Sequence, residues 1–369
     1  MSHMTEGKEH FHGSDLEKIE QHFGIPRESI VGFGANVNPL GISPQMRQKL
    51  LDQIDVITSY PDPEYTKLRE HIAEYAGCRS DQVLVGNGCT ELISLFIQVL
   101  RPTEALIVSP TYSEYEREVH LAGGRVRYYA LQEKDGFRLD PDAFCAALKD
   151  DTGLCVICNP NNPTSTATEP DDMRRILACC RERNIFVMID ETYAEFAPDE
   201  CSISCTGLLS EYDNFVILRG VSKFFAAPGL RLGYAMTGAS ELYARVKERQ
   251  NPWTLNSLAD AAGALMFTDT DYIERTRLLI SSERERIYRE LLTWQNVKVY
   301  KPYANFILVR IRKEGVTSYD VFLHAIRRGL MLRDCSSFPG LEDQTFFRFC
   351  FLMPDKNTEL LQCLKELLC

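Results

Sequence analysis

The chain alternates short, continuously apolar runs with longer helical patterns, and this alternation most limits its possible folds. The apolar runs are rich in β-branched residues and cover residues 82–88, 104–110, 125–131, 154–160, 185–191 and 215–220. Helical stretches such as residues 172–184 separate several of them. Strands that are apolar on both faces and alternate with helices form a mainly parallel sheet covered on both sides. We therefore predict an α/β fold whose large domain contains a sheet of the seven-stranded type, flanked by helices.

The pattern changes after about residue 250, where a long helical region precedes the strand-like segment "VKVYKPYANFILVRI". Another helix, a pair of strands and a terminal helix follow, which predicts a smaller α+β domain at the C-terminus. A chain of 369 residues is also longer than one core usually serves. We predict a large domain over residues 41–251 and a small domain over 252–369. Residues 1–40 are predicted to form an N-terminal arm that packs on the small domain.

Composition argues against several classes of partner and site. The formal net charge of −11 argues against nucleic acid, which needs clustered Lys and Arg. No apolar run approaches the ~20 residues of a membrane span. The 13 cysteines are odd in number and scattered, which is typical of reduced thiols in the cytoplasm. Cys155 and Cys158 are three apart on a predicted strand and point to opposite faces, so we predict no metal site.

Polar segments follow several of the predicted strands. They read "GNGCTE", "SPTYSEY", "NPNNPT" and "DETY", and the last predicted strand leads into "VSKFFAAPGLR". In open α/β sheets, ligands bind at the carboxyl ends of the strands. Each segment alone has an ordinary explanation as a turn, a helix cap or a surface lysine. In this order and spacing, however, they match a site for a phosphorylated aromatic aldehyde.

Such a site needs an amine, a carboxylate, a covering ring and oxygen-binding donors. Lys223 is predicted to form a Schiff base with the aldehyde. Asp190, at the end of a strand, is predicted to pair with the pyridine nitrogen and keep it protonated. Tyr112 would cover the ring face, while Asn162 and Tyr193 would bind the phenolate oxygen.

The phosphate of the aldehyde needs backbone N–H groups at a helix N-terminus together with a cation. The segment "GNGCTE" opens a predicted helix and offers Gly88, Cys89 and Thr90. Ser222 and Arg231 flank the lysine on either side. We predict that these residues bind the phosphate.

The combined pattern "NPNNPT…DETY…SK…PGLRLGY" resembles pyridoxal-phosphate enzymes of the aspartate-aminotransferase type, from about residue 10 to the C-terminus. Within that superfamily the chain is most similar to the branch of histidinol-phosphate aminotransferases and threonine-phosphate decarboxylases. The segments "HGSDLEKI", "FGANVNPLG", "RQNPWTLNSLA" and "CSSFPGLE" carry this second resemblance, and "YPDPEYTKLR" is shared by the branch. The resemblance implies pyridoxal 5'-phosphate as the cofactor, bound in the large domain.

The resemblance also implies roles for further residues. The substrate would be bound by His12, Gly13, Asn36, Asn162, Arg333 and Arg348. Arg348 would pair with a carboxylate and Arg333 with the phosphate or phosphonate of the substrate, because a guanidinium fork suits oxyanions. Tyr65 would reach the cofactor phosphate of a neighbouring subunit, which implies a homodimer.

The chain departs from the family pattern at several positions, one of them the opening "HGSD", where a second glycine is expected. Ser165 stands where a glycine usually follows "NPNNPT", and Gly220 stands where many relatives carry a hydroxyl for the phosphate. Cys89 occupies a position that is often acidic in the decarboxylase. Tyr193 fits the aminotransferase pattern better than the decarboxylase, which tends to carry Phe there.

The reaction depends on which bond at the substrate Cα is held perpendicular to the cofactor ring. If it is Cα–H, Lys223 acts as a general base and the reaction is transamination. We predict an aminotransferase for a small phosphorylated or phosphono amine, such as histidinol phosphate or 2-aminoethylphosphonate, with an amino or oxo acid as partner. The alternative is decarboxylation of a phospho-amino acid such as threonine phosphate. A non-catalytic binding domain with this fold is a third interpretation, disfavoured because the lysine is present.

Overall fold

The structure is a computed structural model that describes residues 11–369. Its α-helices are α1 (Leu16–Phe23), α2 (Pro44–Asp52), α3 (Thr66–Ala76), α4 (Gly88–Leu100), α5 (Glu114–Leu121), α6 (Pro141–Ala146), α7 (Pro170–Glu182), α8 (Ser240–Arg249), α9 (Ser257–Met266), α10 (Thr270–Leu292), α11 (Ser318–Ile326) and α12 (Pro354–Leu368). In this part of the chain, no helix combines the length and the apolar character needed to cross a lipid bilayer.

The strands form two main sheets and a short two-stranded pairing. They are β1 (Val31–Gly32), β2 (Val83–Asn87), β3 (Glu104–Ser109), β4 (Arg125–Ala130), β5 (Thr152–Cys158), β6 (Phe186–Asp190), β7 (Phe215–Gly220), β8 (Leu232–Thr237), β9 (Val297–Val299), β10 (Phe306–Ile311), β11 (Leu330–Met331), β12 (Arg333–Asp334) and β13 (Phe346–Cys350). The large sheet has seven strands in the order β2-β8-β7-β6-β5-β3-β4. This confirms the predicted fold class.

Strand β8 is the one strand of the large sheet that is not among the six predicted apolar runs. It lies between β2 and β7 and is antiparallel to both, whereas the other neighbours in the sheet are parallel. The antiparallel direction of β8 follows from the short connection between β7 and β8. Parallel neighbours need a crossover, usually a helix, but β7 and β8 are joined by the short segment that carries Lys223 and Arg231. The chain therefore returns beside β7 in the opposite direction.

Helices cover both faces of the large sheet, so the side chains of each strand enter two separate apolar layers. On β5, for example, Cys155 belongs to one layer and Cys158 to the other. Strands β3, β6, β7 and β8 are buried along their whole length, apart from Phe186 at the start of β6. This double burial explains why the predicted strands read as continuous apolar runs.

The second sheet has four antiparallel strands in the order β12-β13-β10-β9 and packs with α10 and α11, and α12 packs against α11. The N-terminal segment joins this region, because β1 pairs in parallel with β11 through Val31 and Leu330. Residues 1–10 of the predicted arm lie outside the described residues. Helix α9, just beyond the predicted boundary at residue 252, packs against α2 and α3. The domain boundaries themselves stay predictions.

Candidate active site

A cavity of about 270 Å³ lies at the carboxyl ends of the parallel strands. Fourteen of the predicted site residues form part of its wall: His12, Gly13, Asn36, Cys89, Thr90, Tyr112, Asn162, Asp190, Tyr193, Ser222, Lys223, Arg231, Arg333 and Arg348. Gly88 and Tyr65 are not part of this wall. The fold therefore brings together residues that are more than 300 positions apart in the chain, while their individual roles stay predictions.

Lys223 lies in the turn that follows β7, and its Nζ donates a hydrogen bond of 2.7 Å to the carbonyl of Ala35. The backbone N–H of Asn38 in turn donates to the Lys223 carbonyl, at 3.0 Å. Burial, followed by the positive charge of Arg348, lowers the pKa of the Lys223 amine from 10.5 to about 8. A fraction of the amine is therefore neutral near pH 7, as a nucleophile or a base requires.

Asp190 ends strand β6, and both of its carboxylate oxygens are held by hydrogen bonds. The backbone N–H of Thr192 donates to Oδ1 at 2.9 Å, and the hydroxyl of Tyr115 donates to Oδ2 at 2.5 Å. Burial raises the pKa of Tyr115 well above its ordinary value, so this hydroxyl keeps its proton and remains a donor. Tyr115 is absent from the predicted site, although it follows Tyr112 by three residues and the two rings meet edge to face at 5.7 Å.

The N-terminus of α4 and Arg231 form an anion-binding corner. Gly88 begins the helix at a φ of 77°, and a Cβ added there would lie 2.3 Å from Nη2 of Arg231. The glycine therefore lets the guanidinium approach the first backbone N–H groups of the helix. A helix N-terminus with an adjacent cation is a general binding site for phosphate groups. Gly88 thus contributes to this corner although it does not itself line the cavity.

The thiol of Cys89 occupies the space beside Gly220. A Cβ added at Gly220 would lie 2.8 Å from the Cys89 sulfur and 3.3 Å from the carbonyl of Leu232. Burial raises the pKa of Cys89 to about 12, so the thiol is neutral. The two departures from the family pattern therefore compensate for each other sterically, because a side chain at position 220 and the thiol at position 89 would compete for one volume.

Arg348, on β13, approaches the cavity from the second sheet. It donates to Oδ1 of Asn162, and through Nη2 to the carbonyl of Gly34 at 2.8 Å. The ring of Phe306 contacts both its guanidinium, 5.1 Å away, and the ring of Tyr193, 4.9 Å away. Both Gly34 and Phe306 are absent from the predicted site, because their contacts join segments that are distant in sequence.

Arg333, on β12, lies under the described part of the N-terminal arm. Its guanidinium donates to the carbonyl of Phe11 and, at 2.8 Å, to the hydroxyl of Ser337, and it lies 5.4 Å from the ring of Phe338. Burial and the charge of Arg333 lower the pKa of His12, so its imidazole is mainly neutral near pH 7. Ser337 and Phe338 also line the cavity and were not predicted, although they follow Arg333 closely in the sequence.

The N-terminal arm passes very close to a second backbone segment of the cavity wall, at Gly13 and Gly34. A Cβ added at Gly13 would lie 2.0 Å from the carbonyl oxygen of Gly34, and one added at Gly34 would lie 2.9 Å from the Cα of Gly13. Only glycine fits at such a close approach of two backbones. Tyr65, in contrast, does not line the cavity. Its hydroxyl accepts a hydrogen bond from the backbone N–H of Leu255 at 3.0 Å.

The cavity residues fit the pyridoxal phosphate that the sequence implies. Three buried polar atoms there have no hydrogen-bond partner among residues 11–369, namely Thr111 Oγ1, Asn36 Oδ1 and Arg348 Nε. Buried polar atoms are normally satisfied, so these three are available to a bound molecule. The amine, the carboxylate and the anion-binding corner supply the other groups that the cofactor requires. Within the same residues, no three His, Cys, Asp or Glu side chains are arranged to hold a metal ion.

Comparison with known proteins agrees with this assignment. The family model described as aminotransferase class I and II matches residues 28–364. The threonine-phosphate decarboxylase of Salmonella typhimurium is 32% identical, over 97% of this chain and 96% of its own. The histidinol-phosphate aminotransferase of Methanothermobacter thermautotrophicus is 32% identical, over 96% of this chain and 93% of its own.

A solved structure gives the same result for the fold. The histidinol-phosphate aminotransferase from Clostridium acetobutylicum superposes with a TM-score of 0.84 at 33% identity, covering 91% of this chain and 98% of that protein. The predicted resemblance, the enzyme class and the predicted cofactor are thereby confirmed. The chain belongs to the aminotransferase class I and II family of pyridoxal-phosphate enzymes.

Proposed function

We propose that this chain is an aminotransferase for a small phosphorylated or phosphono amine, of the histidinol phosphate or 2-aminoethylphosphonate type. An amino or oxo acid would be the second substrate. The observation that carries the proposal is the presence of Arg333 and Arg348 in the cavity of Lys223, in addition to Arg231, whose guanidinium lies beside the start of α4. Arg231 is assigned to the cofactor phosphate, which leaves two guanidinium groups for anions of the substrates.

When bound, the cofactor supplies an electron-accepting ring that stabilises negative charge at the Cα of an attached amine. The residues of the chain do the rest. Asp190, fixed by Tyr115 and Thr192, would hold the proton on the ring nitrogen. Nζ of Lys223 would take up the proton from the substrate Cα and, in the reverse half-reaction, return a proton to the same carbon, for which an amine pKa of about 8 is well suited.

Arg333 and Arg348 are proposed to orient the substrates. Arg333 would bind the phosphate or phosphonate, with the neutral imidazole of His12 and the hydroxyl of Ser337 beside it. Arg348 and Asn162 would bind the carboxylate of the amino or oxo acid. A substrate fixed at both ends keeps one bond of its Cα perpendicular to the cofactor ring, and orientation of this kind accounts for a large part of catalysis.

A second candidate function is decarboxylation of a phospho-amino acid. Two observations favour it. The relative from Salmonella typhimurium, named a threonine-phosphate decarboxylase, is as similar to this chain as the aminotransferase from Methanothermobacter. In addition, a phospho-amino acid carries a phosphate and a carboxylate on one molecule, so Arg333 and Arg348 would both be used at once.

The two functions differ in a single-turnover experiment. The purified protein with pyridoxal phosphate is mixed with a panel of phospho- and phosphono-amines in the absence of an oxo acid. Transamination converts the cofactor stoichiometrically to pyridoxamine phosphate, whereas decarboxylation releases carbon dioxide and leaves the cofactor unchanged. Lys223→Ala should abolish both reactions and the visible absorption of the lysine-bound cofactor. An unchanged band and unchanged turnover in that variant would contradict the assignment of the lysine.

Arg333→Ala tests the phosphate assignment separately. It should weaken the binding of phosphorylated substrates by about 2 kcal/mol or more, close to thirtyfold, because a charge-assisted hydrogen bond is lost. Unphosphorylated analogues of the same substrates are the control and should be affected much less. An equal loss for both sets would remove the phosphate site from the proposal.

We further propose a homodimer that acts in the cytoplasm, where the thirteen thiols stay reduced. An exposed apolar patch supports the dimer, and it consists of Leu51, Ile54, Ile57, Tyr60 and Trp253. The rings of Tyr60 and Trp253 lie 4.8 Å apart. A patch of this kind is typical of a protein interface. Sedimentation should give a dimer whose dissociation is promoted by Trp253→Glu, and a monomer for the unaltered chain would exclude it.

A further inference from the structure

The loop between β9 and β10, residues 300–305, is not part of the cavity wall but contacts three segments that are. The first contact joins it to the turn after "NPNNPT". The backbone N–H of Tyr303 donates to the carbonyl of Ser165 at 2.8 Å, and the backbone N–H of Ala304 donates to the Ser165 hydroxyl at 3.0 Å. The loop from the second sheet is therefore fixed to the segment that presents Asn162.

The second contact reaches the turn that follows Asp190. Nη1 of the buried Arg284 donates to the carbonyl of Phe196 at 2.7 Å, and to the carbonyls of Tyr303 and Ala304 at 3.2 and 3.3 Å. Burial lowers the pKa of Arg284 to about 10, so the guanidinium stays charged at neutral pH. One cation thus joins the β9–β10 loop to the segment that presents Asp190 and Tyr193.

The third contact is made by Asn305, which is fully buried. Its Nδ2 donates to the carbonyl of Asn36 at 2.9 Å, and its own carbonyl accepts from the backbone N–H of Phe351 at 2.8 Å. Asn36 has a φ of 57°, a left-handed backbone conformation that is uncommon outside glycine and that asparagine tolerates better than most residues. The hydrogen bond from Asn305 fixes one of the peptide groups of Asn36 in this conformation.

Asn36 connects Asn305 to the two residues that are proposed to react or to bind the cofactor, Lys223 and Tyr193. Its side chain donates to the hydroxyl of Tyr193 at 3.3 Å, and the peptide before it carries the Ala35 carbonyl that binds Nζ of Lys223. A rotation of the Asn36 backbone would therefore move both the partner of Tyr193 and the partner of the Lys223 amine. No other side-chain donor to the Asn36 carbonyl occurs among residues 11–369.

We propose that Asn305 is a positioning residue for the reaction, which holds Asn36 so that Lys223 and Tyr193 keep their orientation in the cavity. The inference rests on the proposed function, because it takes Lys223 to be the reacting amine. Asn305 itself does not touch the cavity. Its effect passes through the Asn36 carbonyl, and Arg348, whose charge also acts on the Lys223 amine, is left in place.

Asn305→Ala tests the proposal, with Asn296→Ala as a matched control. The Asn296 amide makes the same kind of bond, from Nδ2 to the carbonyl of Leu368 at 2.9 Å, far from the cavity. We expect Asn305→Ala to lower kcat by about 10- to 100-fold with a much smaller change in KM, as a misplacement of about 1 Å does. The pH midpoint of the visible cofactor absorption should also shift, because the contact of the Lys223 amine changes.

Asn296→Ala should leave both kcat and the pH midpoint unchanged, and unfolding in urea should show whether the two variants are similarly stable. Asn305→Leu, which keeps the branched shape and carries no donor or charge, replaces Asn305→Ala if the latter does not fold, and it should reproduce the loss of kcat and the shift of the midpoint. An unshifted midpoint in the folded Asn305 variant would overturn the inference. If Lys223→Ala still abolishes the band in that case, the proposed function stands and only the role of Asn305 fails.

Discussion

Replacing Arg348 by methionine should raise the pKa of the Lys223 amine and slow the capture of pyridoxal phosphate. In the unaltered chain the pKa is about 8, compared with an ordinary value of 10.5. At pH 7 this leaves roughly one amine in ten neutral, instead of about one in three thousand. Burial is the larger cause and Arg348 the second, so the substitution should recover part of the difference and not the whole of it. The neutral fraction at pH 7 should then fall, but by less than the roughly 300-fold that full recovery would give.

The assay is the rate at which the cofactor-free protein develops the visible absorption of bound pyridoxal phosphate, measured from pH 6 to pH 10. The neutral amine is the reacting form, so the Arg348→Met profile should move to higher pH. Arg333→Met is the matched control, because Arg333 lies in the same cavity but does not perturb the Lys223 amine. A profile that stays in place in Arg348→Met, moves to lower pH, or moves equally in both variants would refute the electrostatic argument.

Two further sets of substitutions test the stability of buried segments by urea unfolding. Ser165→Ala should be less stable than Ser165→Gly by about 1 kcal/mol, because both variants lose the side-chain hydrogen bond to the β9–β10 loop but only alanine keeps the strain of a φ of 62°. Arg219→Met should cost about 3–5 kcal/mol, since the fully buried Arg219 pairs with the fully buried Glu191 at 2.7 Å and its loss leaves that carboxylate unpaired. Adding Glu191→Gln should recover much of this loss, and no recovery would mean that the uncompensated charge is not the cause.

The large sheet was predictable because its strands are buried on both faces and alternate with helices. Each of these elements can be recognised within a short stretch of sequence. Strand β8 escaped prediction because its place depends on a connection that carries no helix. The pairing of β1 with β11 could not be predicted from the sequence for a different reason. Two residues of strand, Val31 and Gly32, contain too little pattern to identify their partner some 300 positions away.

The site shows the same division between local and long-range information. The presence of Lys223, Asp190 and Arg231 in one cavity was predictable because each lies next to the end or the start of a strand, inside a distinctive short motif. Tyr115 carries no such motif, and only the packing of α5 shows that its hydroxyl reaches Asp190. Phe306 has the pattern of an ordinary core residue of β10, although its ring contacts both Arg348 and Tyr193, which line the cavity.

The departures from the family pattern show most clearly what a single sequence leaves out. Ser165, read alone, implies a loop that differs from the usual glycine turn, yet the structure keeps the left-handed backbone and uses the hydroxyl to bind Ala304. Gly220, read alone, implies a lost contact to the phosphate, yet the thiol of Cys89 occupies the adjoining space. Each departure is offset by a residue more than a hundred positions away. The fold therefore requires that a volume be filled or a hydrogen bond be formed by a pair of distant residues. The residue type at one of the two positions does not by itself show whether this requirement is met.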